Sequence, residues 1–136
     1  MNTIIISTKV KCSVKTAWEA YTEGKHMLNW DYPNQDWYCS YAETDLQVGG
    51  KLKVRMDAKD GSFSFEFEAV YEEIIPQKKL AFTLGDGRKV QVEFSERKPY
   101  TTVVITFDAD EKRDIEMQRA GWQTILENYR KYAESI

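Results

Sequence analysis

The sequence predicts an α+β domain in which a curved antiparallel sheet of about seven strands wraps around a long C-terminal helix, with two short helices after the first strand. Most of the strand-like segments alternate apolar and polar residues, a pattern typical of strands with one covered face. Six of these segments follow one another through short turns and are therefore predicted to pair antiparallel. The end of the chain has helical spacing instead, and it is the only segment long enough to cover such a sheet.

Length and composition favour one domain, residues 1–136, with a core that needs no metal or disulfide. The net charge is −3 and both signs are spread along the chain, so nucleic acid is not expected as a partner. The N-terminal residues do not resemble a signal peptide, and no stretch reaches the roughly 18 apolar residues of a membrane span. Cys12 and Cys39 have no metal-binding spacing. We expect both to be reduced, buried thiols in a cytoplasmic protein.

The first third of the chain predicts one strand and two helices. Residues 3–11 alternate and predict a strand. Ser13 is the expected N-cap of a helix that Gly24 ends. A second, short helix is expected to stop before Pro33.

Six strands are predicted next. Residues 37–44 are strand-like, but their facing is ambiguous because Tyr38 and Tyr41 fall on opposite faces. The pair Gly49–Gly50 predicts a tight reversal before a strand at 51–57. Residues 62–72 have the most regular alternation, and their apolar face contains Phe63, Phe65, Phe67, Ala69 and Tyr71. Three further inward faces are predicted at Leu80, Phe82, Leu84, at Val90, Val92, Phe94, and at Val103, Ile105, Phe107.

The last segment, from about residue 112, predicts a helix with one apolar stripe. The stripe contains Ile115, Gln118, Trp122, Ile125, Leu126, Tyr129 and Tyr132. Gly121 is the only glycine in this predicted helix. A glycine in the middle of a helix lowers helix stability by roughly 1 kcal/mol relative to alanine. We expect the helix to approach the sheet closely at Gly121. The alternative is that Gly121 leaves space for a ligand beside Trp122.

Three segments resemble the family named after the activator of the ninety-kilodalton heat-shock chaperone's ATPase, which belongs to the START-like (SRPBCC) superfamily. They are TAWEAYTEGKHMLNW at 16–30, DLQVGGKLKV at 45–54 and GWQTILENYRKY at 121–132. The resemblance covers essentially the whole chain and implies the helix-grip fold. It also implies a cavity between the sheet and the C-terminal helix, without a common catalytic residue. The chaperone function is not carried over, because in the regulators that give the family its name it depends on a second domain.

The residues expected to line this cavity are mostly aromatic. We expect the largest enclosed pocket to have Phe65, Phe67, Met117 and Gly121 among its walls. Trp30 and Trp37 lie in an irregular segment that frames the cavity mouth, where an indole either plugs the mouth or lines it. We expect both to line it, with their indole N–H groups facing water or a ligand. Met117 and Gln118 are expected to face the sheet or its edge, Met117 as a pliable wall and Gln118 as a hydrogen-bonding anchor beside Trp122.

A catalytic set is not recognisable in the sequence. The single histidine, His26, is expected to be exposed on the short second helix, and the carboxylates are expected in turns and on the outer strand face. None of the clear inward faces contains a carboxylate. No residue cluster suggests a metal, and no glycine-rich loop suggests a phosphate, so no cofactor is expected.

Three functions remain open. The first is a domain that binds a small hydrophobic molecule. The second is a cyclase- or hydratase-like enzyme acting on a hydrophobic substrate, which would need Tyr38, Tyr41, Tyr71 or Gln118 to converge with another polar group inside the cavity. The third is a protein-interaction domain, for which the family name suggests a chaperone partner and which would expose an apolar patch. The chain is expected to be a monomer or a homodimer.

Overall fold

The computed structural model describes residues 2–136 and has ten helices and strands. Their bounds are β1 (Thr3–Val10), α1 (Val14–Thr22), α2 (Gly24–Met27), β2 (Trp37–Thr44), β3 (Lys51–Ala58), β4 (Ser64–Ile75), β5 (Lys79–Leu84), β6 (Lys89–Arg97), β7 (Tyr100–Asp108) and α3 (Ile115–Ser135). The seven strands form one antiparallel sheet in the order β1-β7-β6-β5-β4-β3-β2. The predicted fold class, a curved sheet with a long C-terminal helix against it, is confirmed.

The concave face of the sheet carries the core, as the alternation predicts. The inward residues of β1 and β5 to β7 are at most 7% exposed, apart from the half-buried Thr8 and the exposed Glu96 at the end of β6. On the convex face, opposite charges lie side by side across neighbouring strands. Lys51 lies 3.4 Å from Glu68, and Arg55 lies 3.7 Å from Glu66. The acidic residues of β4 are therefore outer-face residues, as expected.

The boundary between the two short helices differs by one residue from the prediction. Ser13 caps α1 as predicted, since its hydroxyl accepts a hydrogen bond from the Thr16 backbone N–H. Glu23 is the C-cap of α1, and Gly24 begins α2 instead of ending α1. A Cβ at Gly24 would lie 2.5 Å from the Ala42 carbonyl oxygen, so the glycine allows α2 to lie directly against β2.

A β-bulge explains the ambiguous facing of β2. The register with β3 shifts between Cys39 and Tyr41, so one extra residue is accommodated on β2. Tyr38 and Tyr41, which strict alternation would separate, are both about half exposed as a result. Cys39 is buried on the inner side, Cys12 is half-buried, and both are free thiols.

Helix α3 runs parallel to β1 and covers its free edge. The helix is capped by Asp114, whose side chain accepts a hydrogen bond from the Met117 N–H. Arg119 donates to the Ile5 carbonyl, and one turn later Gln123 donates to the Ser7 carbonyl. Edge strands expose unpaired backbone groups, and these two side chains satisfy acceptors on that edge. No helix in the described part of the chain is long and apolar enough to cross a membrane.

The glycine pair before β3 has two different roles. Gly49 has a φ of +87°, which a residue with a Cβ rarely adopts. At Gly50 the backbone of another segment is the constraint, because a Cβ there would lie 2.1 Å from the Asp45 carbonyl oxygen. Both glycines are also held by β4, since the Gly49 N–H donates to the Tyr71 carbonyl and the Tyr71 N–H donates to the Gly50 carbonyl.

We predict that Gly50→Ala destabilises the protein by about 1–3 kcal/mol or more, because the methyl group meets backbone that cannot rotate away. Gly85→Ala is the matched control, since nothing lies within 4 Å of a Cβ at that position. Its effect should stay within about 0.5 kcal/mol. Urea unfolding of both variants measures the difference. Equal stabilities would contradict the role given to Gly50.

Candidate functional site

The inner face of β4 becomes progressively uncovered along the strand. Tyr71 is 1% exposed and Ala69 is 2% exposed. Phe67 is half-buried, and Phe65 is 50% exposed although it belongs to the same apolar face. The concave side is therefore closed around Tyr71 and open around Phe65.

Helix α3 has the same gradient. Met117, in its first turn, is 75% exposed, and Gly121 is exposed as well. Trp122 is half-buried, while Leu126 and Tyr129 are buried with at most 1% exposed. The N-terminal half of the helix is thus uncovered, and its C-terminal half is packed into the core.

These two open regions lie at the same end of the domain. Trp122 stacks on Phe107 with ring centroids 3.9 Å apart. Phe107 belongs to a cross-strand row that continues through Val90 and Phe82 to Tyr71. Strands β1 and β4 are parallel in this sheet, and α3 runs with β1. The residues that precede Trp122 on α3 and those that precede Tyr71 on β4 therefore border one open cleft.

The segment between α2 and β2 forms the third side of this cleft. Asn128 of α3 donates a hydrogen bond to the Tyr32 carbonyl, which holds the segment across from the helix. Trp37 is half-buried at the start of β2, and its ring meets Phe63 edge to face at 6.1 Å. Trp37 thus lies at the open end of the cleft, near Phe65. Its contact with a ligand stays a prediction.

The closed end contains one buried polar group without a protein partner. The Tyr71 hydroxyl is buried and has no hydrogen-bond partner within residues 2–136. The charges of Asp31 and Tyr71 raise the pKa of Tyr21, and the Asp31 charge also raises that of the Cys39 thiol. Tyr21 and Asp31 are half-buried, so water reaches part of each residue. We call Tyr21, Asp31 and Tyr71 the polar cluster.

Burial shifts the acidity of every member of this cluster toward the protonated form. Removal from water raises the pKa of Asp31 to about 7 and that of Tyr71 to about 12. The pKa of Tyr21 is raised by burial first, and then by the Asp31 and Tyr71 charges. Burial and the Asp31 charge also raise the pKa of Cys39 to about 12. The tyrosines and the thiol stay protonated at neutral pH, and Asp31 is the group that titrates there.

The prediction that Trp30 lies at the cavity mouth is wrong. The side chain is 4% exposed, and its indole N–H donates to the Ala20 carbonyl at 2.9 Å. Its ring lies 5.3 Å from that of Tyr21 and 5.2 Å from that of Tyr129, measured between centroids. Trp30 therefore fills the core beside the polar cluster instead of lining a mouth, and its N–H is not free for a ligand.

Met117 and Gln118 also differ from the prediction. Met117 is 75% exposed, so it is not a covered wall of a pocket; it lies one turn before Gly121 on the same side of α3, and its contact with a ligand stays a prediction. The Gln118 amide holds the loop before α3: its oxygen accepts from the Asp110 N–H at 2.8 Å, and its nitrogen donates to the Asp110 carbonyl at 2.7 Å. Gln118 is thus an anchor for the protein backbone, which leaves it a poor anchor for a ligand.

The expected enclosed pocket is likewise not found between the sheet and α3. Its deep part is filled by the rings of Tyr21, Trp30 and Tyr129, and its outer part is the open cleft. Two open depressions lie elsewhere. One, of about 240 Å³, is next to Gly49–Gly50, and the other, of about 510 Å³, is next to the β3–β4 turn. Polar and charged side chains dominate both.

His26 is not simply exposed. Its Nδ1 lies 2.6 Å from the Tyr132 hydroxyl, and the two rings pack with centroids 5.6 Å apart. This pair joins α2 to the C-terminal end of α3, so its role is structural. Among the described residues no group of three or more His, Cys, Asp or Glu side chains could hold a metal ion.

The close approach expected at Gly121 is wrong. Apart from its chain neighbours and the backbone of α3 itself, no heavy atom lies within 4 Å of a Cβ built on this residue. Gly121 lies on the same flank of α3 as Asn128 and Tyr132. Asn128 contacts the segment between α2 and β2, and Tyr132 contacts α2. At the level of Gly121 this flank faces the open cleft.

We predict that Gly121→Ala stabilises the protein by up to about 1 kcal/mol, because alanine has the higher helix propensity and its methyl group meets nothing. Urea unfolding of the wild type and the variant measures the change. A less stable variant would show that α3 touches the sheet at this position after all.

We predict that Asp31 makes the protein less stable as the pH rises from about 4 to about 7. Its pKa is about 7 in the folded protein against an ordinary value of 3.8, so the folded state binds more protons over this range. The loss is at most about 4 kcal/mol. Asp31→Asn should remove it, and Asp36→Asn, at an exposed position in the same segment, should not. Urea unfolding across this range gives the slopes. The same slope in wild type and Asp31→Asn would contradict the burial of the carboxyl.

The chain is similar to one family and to several solved structures. Residues 11–134 match the model of the family described as Activator of Hsp90 ATPase homolog 1-like protein. The solution NMR structure of the AHSA1-like protein from Aeromonas hydrophila is 33% identical, with a TM-score of 0.90 over 97% of this chain and 93% of that chain. The solution structure of a protein from Cytophaga hutchinsonii is 34% identical, with a TM-score of 0.84 over 99% and 94%. No curated protein matches the chain.

A more distant structure supports the fold alone. The crystal structure of a protein from Nitrosomonas europaea is 18% identical, with a TM-score of 0.86 over 98% of this chain and 94% of that chain. The architecture is therefore kept where most of the side chains differ.

Proposed function

We propose that this chain, which belongs to the Activator of Hsp90 ATPase homolog 1-like family, binds a small hydrophobic molecule in the cleft between β4 and the N-terminal half of α3. The family resemblance inferred from three sequence motifs is thereby confirmed. The observation that carries the proposal is the uncovered apolar face of β4, from half-buried Phe67 to Phe65, which is 50% exposed. Exposed apolar surface on a concave face is typical of ligand sites.

The physical gain lies in covering these aromatic rings. Fully burying a phenylalanine side chain contributes about 1.5–3 kcal/mol. A ligand that covers the remaining exposed surface of Phe65 and Phe67 gains part of this amount at each ring. Gly121 supports the same interpretation, because it leaves room beside Trp122 where any side chain would enter the cleft.

An enzyme acting on a hydrophobic substrate is the second candidate, and a specific observation favours it. The enzyme hypothesis required an inward tyrosine or glutamine that converges with another polar group. Tyr71 is inward and buried with an unpaired hydroxyl, and its charge contributes to the raised pKa of Tyr21. Asp31, with a pKa of about 7, has the acidity of a general acid or base at neutral pH. Binding in the cleft is the step that both candidates share, so it is the step to test first. The cytoplasmic location, the oligomeric state and a chaperone partner stay predictions.

We predict that N-phenyl-1-naphthylamine, a neutral probe whose emission rises in apolar sites, binds the wild type saturably at one site. Gly121→Phe should weaken binding at least about fivefold, since the added ring occupies space that the ligand needs. The variant should still fold, because phenylalanine is a better helix former than glycine. A fluorescence titration measures the affinity.

Ala120→Phe is the matched control, since it adds the same ring to the neighbouring position on the exposed side of α3. Its affinity for the probe should equal that of the wild type. Equal weakening by both variants, or no saturable binding to the wild type, would contradict binding in the cleft.

A further inference from the structure

The Tyr71 hydroxyl is a buried polar group without a partner in the described chain. The side chain is 1% exposed, and its hydroxyl has no hydrogen-bond partner within residues 2–136. Tyr129 is equally buried, but its hydroxyl donates to the Ala17 carbonyl at 2.6 Å. An unpaired polar group in a core lowers stability, so most buried hydroxyls are paired. Phenylalanine at position 71 would keep the packing against Phe82 without this cost, so the unbound protein gains nothing from the hydroxyl.

The position of Tyr71 in the sheet is level with the space at Gly121. Tyr71 and Phe107 belong to one cross-strand row and are three inter-strand spacings apart, which is about 14 Å. Trp122 stacks on Phe107, so α3 crosses this row at Trp122. The neighbouring Gly121 lies on the flank of α3 that faces the cleft, and it has no side chain to fill the space there. Tyr71 therefore lies on the floor of the domain where α3 leaves room above the sheet.

The inner face of β4 connects the hydroxyl with the open end of the cleft. Between Tyr71 and Phe67 the only inward residue is Ala69, whose methyl group lies between Leu52 and Leu84 of the neighbouring strands. Phe67 and Tyr71 are four residues apart, which is about 13 Å along the strand. Ala69 and Tyr71 are covered in the unbound protein, so the half-buried Phe67 ring has to turn aside for a ligand. A ligand that lies over Ala69 meets Phe67 with its body and the Tyr71 hydroxyl with its inner end.

Resting on the proposed function, we propose that Tyr71 determines which hydrophobic molecules the cleft binds, because its hydroxyl donates a hydrogen bond to a neutral acceptor, such as a ketone or ester carbonyl, at the inner end of the ligand. A phenol hydroxyl donates one hydrogen bond, and a carbonyl oxygen accepts one without bringing a donor that would need its own partner. Burial raises the pKa of Tyr71 to about 12, so the hydroxyl keeps its proton at neutral pH.

The surroundings of the hydroxyl favour a neutral ligand over an anionic one. The inward neighbours of Tyr71 on β4 and β5 are Ala69, Phe82 and Leu84, all of them apolar and buried. A carboxylate or phosphate buried among such side chains would lack the cation that normally pairs it. A hydrocarbon without a polar atom would leave the hydroxyl as unpaired as it is in the unbound protein.

The test uses three naphthalenes that differ only in one substituent: 2-acetylnaphthalene, 2-isopropenylnaphthalene and 2-naphthoate. The ketone and the isopropenyl compound have nearly the same shape, and only the ketone has an acceptor. Each compound displaces N-phenyl-1-naphthylamine from the protein in a fluorescence competition. The ratio of the affinities for the ketone and the isopropenyl compound should fall at least about fivefold from the wild type to Tyr71→Phe. The wild type should bind 2-naphthoate at least about tenfold more weakly than the ketone.

Tyr129→Phe is the matched control, because it removes a hydroxyl that is equally buried but already paired. Its ratio of the two affinities should equal that of the wild type. Urea unfolding of the unbound proteins gives a second readout that separates the two hydroxyls. Tyr71→Phe should have a midpoint at least as high as that of the wild type, and Tyr129→Phe should have a lower one.

An unchanged ratio in Tyr71→Phe would overturn this inference and leave the proposed function standing. A midpoint of Tyr71→Phe below that of the wild type would overturn it as well, since the hydroxyl would then already have a partner, such as an ordered water. The same holds if 2-naphthoate binds as tightly as the ketone, or if no naphthalene displaces a probe that itself binds saturably. If N-phenyl-1-naphthylamine does not bind the wild type, the proposed function fails and this inference fails with it.

Discussion

The contact on which the rest of the structure depends is that of Tyr129 with α1. Its hydroxyl donates to the Ala17 carbonyl at 2.6 Å, and its ring meets those of Tyr21 and Trp30. A sheet with an apolar concave face is unstable without a cover, and α3 alone lies mainly along β1. Tyr129 joins the C-terminal half of α3 to α1 and to the segment after α2, so three elements cover the sheet as one layer. The Trp30 N–H bond to Ala20 fastens the same layer from the other side.

This layer is confined to one half of the concave face, and the position of the cleft follows from that. The core that Tyr129 brings together covers the inner face of β4 from Tyr71 to Ala69, and beyond the half-buried Phe67 that face is exposed at Phe65. The N-terminal half of α3 is held only at its outer side, through Arg119 and Gln123 on the edge of β1. Its other flank, at Gly121, stays free. One packing cluster thus accounts for both the closed core and the open end.

Periodicity predicted the strands, the sheet and the long helix because each of these depends on which face of a regular element is covered. The candidate site depended on irregular backbone, where no such rule applies. Trp30 and Asp31 are neighbours in a segment without periodicity, and nothing in their spacing distinguishes a rim residue from a core residue. Gly121 posed a different problem, since close approach and open space both favour glycine. Asp31 could have been suspected as the one carboxylate between an indole and Pro33, although only the folded structure brings it close enough to Tyr21 and Cys39 to raise the pKa of both.

A cleft that is apolar at its open end and polar at its closed end orients what it binds. The apolar walls contribute affinity for many hydrophobic molecules but discriminate weakly among them, because one methylene changes binding by only about 1–3 kcal/mol. The unpaired hydroxyl of Tyr71 is selective in a different way. A ligand that pairs it removes a cost already present in the free protein, and a ligand of equal size that does not pair it leaves that cost in place. Selectivity in this domain would therefore come from the few polar atoms that weaken its core.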